Sequence, residues 1–369
     1  MPFIKNQICL TVLTIAAIAC SPTVSGDIPY AEPSPELSNA FRVFQDSVAA
    51  TMTEPLNYSK MVNLHSLMVL KDGSIVLEKS FSDEWPAERP HPLFSVSKTF
   101  TATAVGLAIG EGKLSLQDRV ADFFPDLQVP DNPCDATVED LLMMAGGHDT
   151  DPTTLVGDFD LKGLRLALKE DADIARVFFS HPFIHKPGIW FCYNSLGSHL
   201  LSAIVQQVTG ETVLEYLTPR LFGPLGIDTP EWETDAAGVS CGGWGLYLRT
   251  KDMAKFGQLL LQKGRWGKTQ IIPSDWVETM GAYHIDNRPP GMTPEEMEAM
   301  GIPVSENEWA QGYGYQMWRS THNGYRADGA LGQIILVLPD KNAVIVLTAM
   351  LSDTQLELGY VWKYLYPAL

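Results

Sequence analysis

The chain has 369 residues, of which 45% are hydrophobic and 19% are charged, and its formal net charge is −18 at pH 7. This composition is typical of a globular protein that is long enough for one large domain or two intertwined lobes. A surface this acidic repels nucleic acid and anionic lipid, so we expect neither to be a partner.

The first residues differ in composition from the rest of the chain. They combine one early lysine with an apolar stretch at 8–18 and small residues just before Cys20. This pattern predicts a secretory signal peptide and tether over 1–26, and hence an exported protein of the periplasm or cell envelope. The run AIAC is similar to a bacterial lipobox, which would lipidate Cys20 and anchor the chain to a membrane. Cleavage without lipidation is the alternative.

The next segments predict a helix, a hairpin and a second helix. Pro35 starts a helical pattern that runs to Thr51, with the proline in its first turn. The β-rich runs LHSLMVL and SIVLEKSF flank the Asp-Gly pair at 72–73 and predict a hairpin. The stretch SVSKTFTATAVGLAIGEG, at 95–112, then predicts a buried helix that Gly112 ends.

The middle of the chain, from about 113 to 238, is mostly helical in pattern, and strands return near the C-terminus. The predicted helices are VEDLLMMAGG, capped by Thr137 with Asp140; SLGSHLLSAIVQQVTG, ended by Gly210; KDMAKFGQLLLQKG, capped by Thr250; and a last helix around 356–365. The predicted strands are GYGYQMWRS and YRADGALGQIILVLP, on either side of Asn323-Gly324, and AVIVLTAM as a third.

Strands therefore lie near both chain ends and helices lie between them. We predict an α+β fold in which an antiparallel sheet from both ends is flanked by helices and carries a mostly helical insertion. The predicted lobes are 27–112 plus 239–369 for the α/β part and 113–238 for the helical part, together forming one domain. A cleft between the lobes is the expected position of a site.

The motif SVSK places Lys98 three residues after Ser95, at the mouth of an apolar helix. An ammonium is disfavoured at this positively polarised helix end, whereas residues three apart share a helix face. Burial and the helix dipole would lower the pKa of Lys98, and a neutral amine could then take the proton of the Ser95 hydroxyl. On the motif alone, a serine N-cap followed by a surface lysine is the alternative.

Tyr193 lies at a helix start in HKPGIWFCYNSLGSH, after a Pro-Gly turn. A phenol held near the Lys98 ammonium is expected to have a depressed pKa and to relay a proton. An aromatic side chain that anchors the loop is the alternative.

Together, SVSK, HKPG…YNS and YRADGALGQ resemble the penicillin-recognising serine hydrolases, which include class C β-lactamases, DD-peptidases, family VIII esterases and aminohexanoate-oligomer hydrolases. The resemblance extends over nearly the whole mature chain and implies a β-lactamase/transpeptidase-like fold. It implies that Ser95 is the acylated nucleophile, Lys98 its activating partner and Tyr193 the general base or proton relay. No metal or organic cofactor is implied.

The same resemblance implies an oxyanion hole made by the backbone N–H groups of Ser95 and Ala330. It also implies that Asn194 and Ser195 line the site. Class C enzymes have the sequence Tyr-x-Asn at this motif, but the third position here is Ser195.

A second departure lies in the third motif, which is normally Lys-Thr-Gly or His-x-Gly. Here the aligned residues are Ala327, Asp328 and Gly329, of which we expect Asp328 and Gly329 to contact substrate. The cation that holds a β-lactam or peptide carboxylate is missing, and Arg326 is no obvious replacement because side chains alternate faces along a strand. We therefore expect a small neutral ester or amide substrate. The alternatives are a β-lactamase or DD-peptidase, and an inactive envelope protein that binds a ligand.

Weaker candidates have simpler explanations. His148, Asp149 and Asp151 could hold a metal but are more often part of a helix-ending turn, and His322 is expected to be exposed in its turn. Cys192 with His185 could form a thiol nucleophile, yet packing is the simpler role for all three cysteines of the mature chain. Six aromatic residues could line an acyl pocket or belong to the core: Trp190, Trp244, Trp309, Tyr313, Tyr315 and Trp318. The sequence does not indicate the oligomeric state.

Overall fold

A computed structural model describes residues 26–52, 63–160, 165–170, 172–288, 292–300, 303–351 and 353–369. Cys20 and the predicted signal peptide up to residue 25 lie outside the described residues. Their roles stay predictions. No helix in the described ranges combines the length and the apolar character that crossing a bilayer requires.

The strands of the described residues are β1 Leu64–Lys71, β2 Ser74–Ser80, β3 His91–Pro92, β4 Gly157–Asp160, β5 Arg165–Leu168, β6 Glu231–Trp232, β7 Leu246–Leu248, β8 Arg265–Trp266, β9 Thr269–Gln270, β10 Trp318–Arg319, β11 Tyr325–Gly329, β12 Gln333–Leu338 and β13 Ala343–Ala349. Six of them form an antiparallel sheet in the order β10-β11-β12-β13-β1-β2. The sheet therefore draws on both chain ends, as predicted.

The α-helices of the described residues are α1 Pro35–Met52, α2 Ser97–Gly110, α3 Val138–Leu142, α4 Thr153–Val156, α5 Ile174–Ser180, α6 Ser195–Thr209, α7 Val213–Leu217, α8 Thr250–Leu261, α9 Ser274–Gly281, α10 Pro294–Ala299 and α11 Thr354–Tyr360. All five helices from α3 to α7 lie in the middle of the chain, between residues 113 and 238, as the helical pattern predicted. A π-helical turn, Val361–Leu365, continues α11 over the rest of the predicted last helix.

Both faces of the central sheet are covered, which explains why β12 and β13 are buried along their whole length and almost entirely apolar. In β13, Val344 and Val346 belong to the core that α2 and α8 share, whereas Ile345 and Leu347 belong to the core shared with α1 and α11. Gly257 lets α8 approach the sheet closely, since a Cβ there would lie 2.6 Å from a methyl group of Val344. Helix α2 lies in the interior, where it packs on α6 and on β11 of the sheet.

Of the local predictions, two were wrong and one, the mostly helical middle of the chain, was incomplete. The run after Asn323-Gly324 is not one strand but two, β11 and β12, because Leu331 and Gly332 take positive φ angles of 65° and 91° and reverse the chain. Asn323-Gly324 itself does lie in the connection between β10 and β11. The helical middle of the chain also contains a hairpin, β4 with β5.

The third correction concerns Thr250, which is the first residue of α8 and not its cap. Arg249 occupies the N-cap position, and the Asp252 carboxylate accepts from its backbone N–H and from its guanidinium. The Thr250 hydroxyl is instead 2.6 Å from the Ser66 hydroxyl on β1, so it ties the helix to the sheet. Tertiary contact therefore outweighs the local capping preference of threonine here.

Candidate active site

Ser95 lies in a short 3₁₀ turn, Phe94–Val96, that leads directly into α2. Phe94 has a positive φ of 47°, which is unfavourable for a residue with a large side chain. Strain of this kind is held only where the surrounding structure enforces it, and it is common at functional sites. The turn leaves Ser95 half-buried, whereas Lys98 is 1% exposed.

The predicted contact between these two residues is present. Lys98 Nζ lies 2.9 Å from Ser95 Oγ, 3.1 Å from Ser195 Oγ and 2.7 Å from the carbonyl oxygen of Gly243. Burial lowers the pKa of Lys98 to about 7, although the negative charge of Asp151 opposes this shift. Lys98 therefore gains a substantial neutral fraction near neutral pH, as the sequence predicted.

The partners of Lys98 fix where its lone pair points when the amine is neutral. A neutral amine has two N–H groups and one lone pair, and the Gly243 carbonyl can only accept. The Ser195 hydroxyl donates to Asp151 Oδ2 at 3.5 Å, so it accepts from Lys98 as well. The lone pair is left for Ser95, whose hydroxyl can donate its proton to it.

Tyr193 is the other polar neighbour of the nucleophile. A side-chain hydrogen bond joins it to Ser95, and Lys98 Nζ lies 4.8 Å from the centroid of its ring. The predicted depression of the pKa of Tyr193 was wrong: burial raises this pKa, and the negative charges of Asp328 and Asp151 raise it further. Lys98 faces the ring and not the hydroxyl, so it does not compensate. The phenol is therefore neutral and can donate a proton.

Asn194 and Ser195 both make contacts within the protein, and their predicted lining of a substrate site stays a prediction. The Asn194 oxygen caps α6 by accepting from the N–H groups of Leu196 and Gly197. Its amide group donates to His148 Nδ1 at 2.7 Å, and the residue is 6% exposed, so the side chain serves the helix end. Ser195 joins the site as a partner of Lys98.

The two N–H groups predicted for an oxyanion hole lie on segments that pack together. Gly329 approaches the carbonyl of Leu93 so closely that a Cβ would lie 2.3 Å from that oxygen, which places the end of β11 against the turn that carries Ser95. Ala330 follows directly. Among the described residues, no backbone carbonyl accepts from the N–H of Ser95 or of Ala330.

Asp328 belongs to a buried group of charges that the sequence did not reveal. Its Oδ2 accepts from Arg326 Nε at 2.7 Å, and Arg326 also pairs with Glu308 Oε2 at 3.1 Å. Arg326 and Glu308 are both 0% exposed. Arg326 is therefore committed to protein partners, in agreement with the prediction that it does not replace the missing cation. The position of Glu308, 18 residues before Arg326, carries no local signal of this contact.

The six candidate aromatic residues divide into two groups. Trp318 stacks on Tyr193 with ring centroids 5.3 Å apart, and Tyr313 and Trp309 pack on Trp318. These three adjoin the site. The other three lie elsewhere: Trp190 stacks on His185, Trp244 on His199 and Tyr315 on His284.

The weaker candidates are not assembled into sites. Within the described ranges, no three His, Cys, Asp or Glu residues are grouped as metal ligands. Burial raises the pKa of the Cys192 thiol to about 12, so this half-buried cysteine is not a thiolate at neutral pH. Cys134 and Cys241 are buried, as predicted. His322 is exposed in its turn, also as predicted, with its ring stacked on Trp362.

This geometry can be compared with known proteins. A family model described as Beta-lactamase matches residues 63–356. The chain belongs to the Beta-lactamase family. It is 26% identical over 291 residues to the 6-aminohexanoate-dimer hydrolase of Paenarthrobacter ureafaciens, which covers 76% of this chain and 71% of the relative. Because the chain belongs to this family and its relatives are named as hydrolases, it is a serine hydrolase with a small-molecule substrate.

Solved structures confirm the predicted β-lactamase/transpeptidase-like fold of this Beta-lactamase family member. A Bacillus anthracis protein designated a candidate 6-aminohexanoate-dimer hydrolase matches with a TM-score of 0.69 and 19% identity, over 94% of this chain and 89% of that one. EstCE1, a hydrolase with promiscuous acyltransferase activity, matches with a TM-score of 0.65 and 16% identity, over 89% and 100% of the two chains.

Proposed function

We propose that this chain hydrolyses ester or amide bonds of small substrates through an acyl-enzyme on Ser95. The observation that carries the proposal is the hydrogen-bonded pair of Ser95 and Lys98, in which burial lowers the pKa of the amine to about 7. A serine hydroxyl becomes a competent nucleophile when an adjacent base takes its proton. Lys98 is buried and its lone pair is directed at Ser95, so it meets that requirement.

In acylation, Ser95 Oγ attacks the substrate carbonyl while its proton passes to Lys98. The N–H groups of Ser95 and Ala330 stabilise the oxyanion. The neutral phenol of Tyr193 gives its proton to the leaving group, so that a Lys98 ammonium and a Tyr193 phenolate remain. Their charges cancel, and the ammonium lies over the ring of Tyr193.

In deacylation, both proton transfers run in reverse. The Tyr193 phenolate takes a proton from water, and the resulting hydroxide attacks the acyl carbonyl. Ser95 Oγ leaves and recovers its proton from Lys98. Each group thereby returns to its starting state, which gives Tyr193 successive roles as acid and base.

The ester-like preference rests on the third motif. Ala327 stands where a cation would hold a substrate carboxylate, and Arg326 is fully paired with Glu308 and Asp328. One relative, the 6-aminohexanoate-dimer hydrolase, is named for a substrate other than a β-lactam. A β-lactamase or DD-peptidase activity is the second candidate because the matching family is the Beta-lactamase family. To establish this second candidate, the protein must turn over a β-lactam that carries a carboxylate.

The test is hydrolysis of p-nitrophenyl butyrate, with nitrocefin and benzylpenicillin assayed alongside. We expect ester turnover that is lost in Ser95→Ala and kept in Ser38→Ala, a matched change on the surface of α1. Covalent labelling of Ser95 by a fluorophosphonate would exclude an inactive ligand-binding protein. Efficient benzylpenicillin turnover would instead establish the β-lactamase alternative.

We further propose that the mature protein is exported and held in the cell envelope. The support is the composition of residues 1–26, with the lipobox-like run that ends at Cys20. Intact-mass measurement of the mature protein distinguishes a lipidated Cys20 from simple cleavage. An unprocessed N-terminus would contradict both.

A further inference from the structure

The Asp328 carboxylate presents an unpaired oxygen next to the groups proposed to carry the reaction. Its Oδ2 accepts from Arg326 Nε at 2.7 Å, whereas no donor among the described residues contacts its Oδ1. The side chain is 9% exposed, so its contact with solvent is small. Gly329, the next residue, packs against the carbonyl of Leu93 in the turn that carries Ser95, and the charge of Asp328 raises the pKa values of Tyr193 and Tyr313.

Burial raises the pKa of Asp328, and the charge of Arg326 opposes this rise and favours the carboxylate. Arg326 is the cation paired with Asp328, and it also pairs with Glu308, so two carboxylates share one guanidinium. The amine of the site, Lys98, loses its charge as pH rises above about 7. The electrostatic potential on this side of the site is therefore negative, which is the reverse of a carboxylate-binding motif.

Arg326 also holds Asp328 in a fixed place. The guanidinium lies 4.7 Å from the ring centroid of Trp309 and 5.8 Å from that of Trp318, and it donates to Ser320 Oγ at 2.8 Å. Rigid support of this kind prevents Asp328 from turning away when a ligand enters. The carboxylate is preorganised for a positive partner.

Aromatic rings next to the carboxylate favour the same kind of partner. Trp318 stacks on Tyr193, and Tyr313 meets Trp318 edge to face with centroids 5.0 Å apart. Trp318 and Tyr313 are almost fully buried, so they give the site an apolar, low-dielectric wall in which a carboxylate attracts a cation more strongly than it would in water. An anion or an extended apolar group would gain nothing from the unpaired Asp328 oxygen.

We propose that Asp328 is a specificity-determining residue that selects substrates carrying an ammonium group near the scissile ester or amide bond. This inference rests on the proposed hydrolysis through Ser95 and names the substrate class of that same site. The competing role for Asp328 is purely structural, as an anchor for Arg326. That role predicts no dependence on substrate charge.

The experiment compares cationic substrates with uncharged substrates of the same shape. On the leaving-group side, the pair is butyrylcholine and 3,3-dimethylbutyl butyrate. On the acyl side, it is the p-nitrophenyl esters of 4-(trimethylammonio)butanoate and 5,5-dimethylhexanoate. We expect kcat/KM to favour the cation by at least about tenfold in one pair or both, since hydrogen-bonded or paired charges contribute on that scale.

The decisive comparison is the cation-to-neutral ratio of kcat/KM in Asp328→Asn, which we expect to fall close to one. A ratio within one preparation does not depend on how much of the protein is folded. Asp149→Asn is the matched control because it removes an exposed carboxylate that contacts neither Ser95 nor Lys98. Its ratio should stay that of the wild type. A wild-type ratio near one in both pairs, or an undiminished ratio in Asp328→Asn, would overturn the inference.

A second measurement needs no variant. Choline and 3,3-dimethylbutanol should inhibit the wild-type enzyme unequally, with choline binding more tightly, if the cation site lies on the leaving-group side. If the acyl pair carries the preference instead, 4-(trimethylammonio)butanoate should inhibit better than 5,5-dimethylhexanoate. Equal inhibition within both pairs would contradict the role of Asp328. Failure of the proposed function is a separate result, namely no ester turnover at all or turnover that survives in Ser95→Ala.

Discussion

The Ser195 hydroxyl lies 3.1 Å from Lys98 Nζ, at the position where class C β-lactamases carry an asparagine. It accepts from the amine and donates to Asp151, so a single hydroxyl connects the buried base to an exposed carboxylate. The protonation of Lys98 therefore reflects two opposing influences. Burial disfavours the ammonium, and the charge of Asp151 favours it.

The first prediction concerns the pH dependence of hydrolysis. The neutral amine of Lys98 dominates above its pKa of about 7, so kcat/KM for p-nitrophenyl butyrate should rise with pH through this value and level off above it. Lys98→Arg keeps the positive charge at every accessible pH and should lower kcat/KM by about 10²- to 10⁴-fold. The surface change Lys113→Arg is the control. A flat wild-type profile from about pH 5 to 9 would contradict Lys98 as the base.

The second prediction is that Asp151 sets the position of this pH profile. Because its charge raises the pKa of Lys98, Asp151→Asn should move the rising limb to lower pH. The amide oxygen of asparagine can still accept from Thr153 N, as Asp151 Oδ1 does at 3.0 Å, so the turn into α4 is kept. Asp149→Asn should leave the rising limb of the pH profile at the pH of the wild type. A shift to higher pH in Asp151→Asn would show that the electrostatic explanation is wrong.

Local sequence predicted the nucleophile and its base, but it did not predict the surroundings that set their chemistry. A spacing of three residues at a helix start brings Lys98 to Ser95 whatever the rest of the fold does. The pKa of Tyr193 was predicted with the wrong sign because burial and the charges of Asp328 and Asp151 raise it, while Lys98 faces the ring and not the hydroxyl. The pairing of Glu308 with Arg326 depends on how a loop folds over the sheet edge, which local pattern does not encode.

The third prediction concerns stability in acid. His65 and His91 are buried with ring centroids 5.5 Å apart, and burial lowers the pKa of each to about 4. In the unfolded chain these histidines take up protons below pH 6.5, whereas the folded protein resists protonation until about pH 4. The free energy of unfolding should therefore fall as pH falls from 6.5 towards 4, on the order of 3 kcal/mol for one histidine.

Urea unfolding at about pH 7 and pH 4.5 measures this loss. His65→Phe should reduce it, since phenylalanine can keep the stacking on Trp85, which lies 5.6 Å from the His65 ring. The exposed His322 serves as the control, and His322→Gln should lose as much stability in acid as the wild type. An equal loss in His65→Phe would show that other groups determine the acid sensitivity.

The last prediction concerns two glycines near the C-terminus that should respond in opposite directions to alanine. Gly332 has a φ of 91°, and a Cβ there would lie 2.6 Å from Glu357 Oε2, a fully buried carboxyl that burial keeps neutral by raising its pKa. Gly332→Ala should therefore destabilise the protein by about 1–3 kcal/mol. It should also lower kcat for p-nitrophenyl butyrate more than it changes KM, since the turn carries Ala330.

Gly359, within α11, has no atom within 4 Å of the Cβ position. Gly359→Ala should stabilise the protein by about 0.5–1 kcal/mol and leave kcat unchanged. Urea unfolding together with steady-state kinetics checks both variants. Unchanged stability and kcat in Gly332→Ala would show that the turn tolerates a side chain and is not held by Glu357.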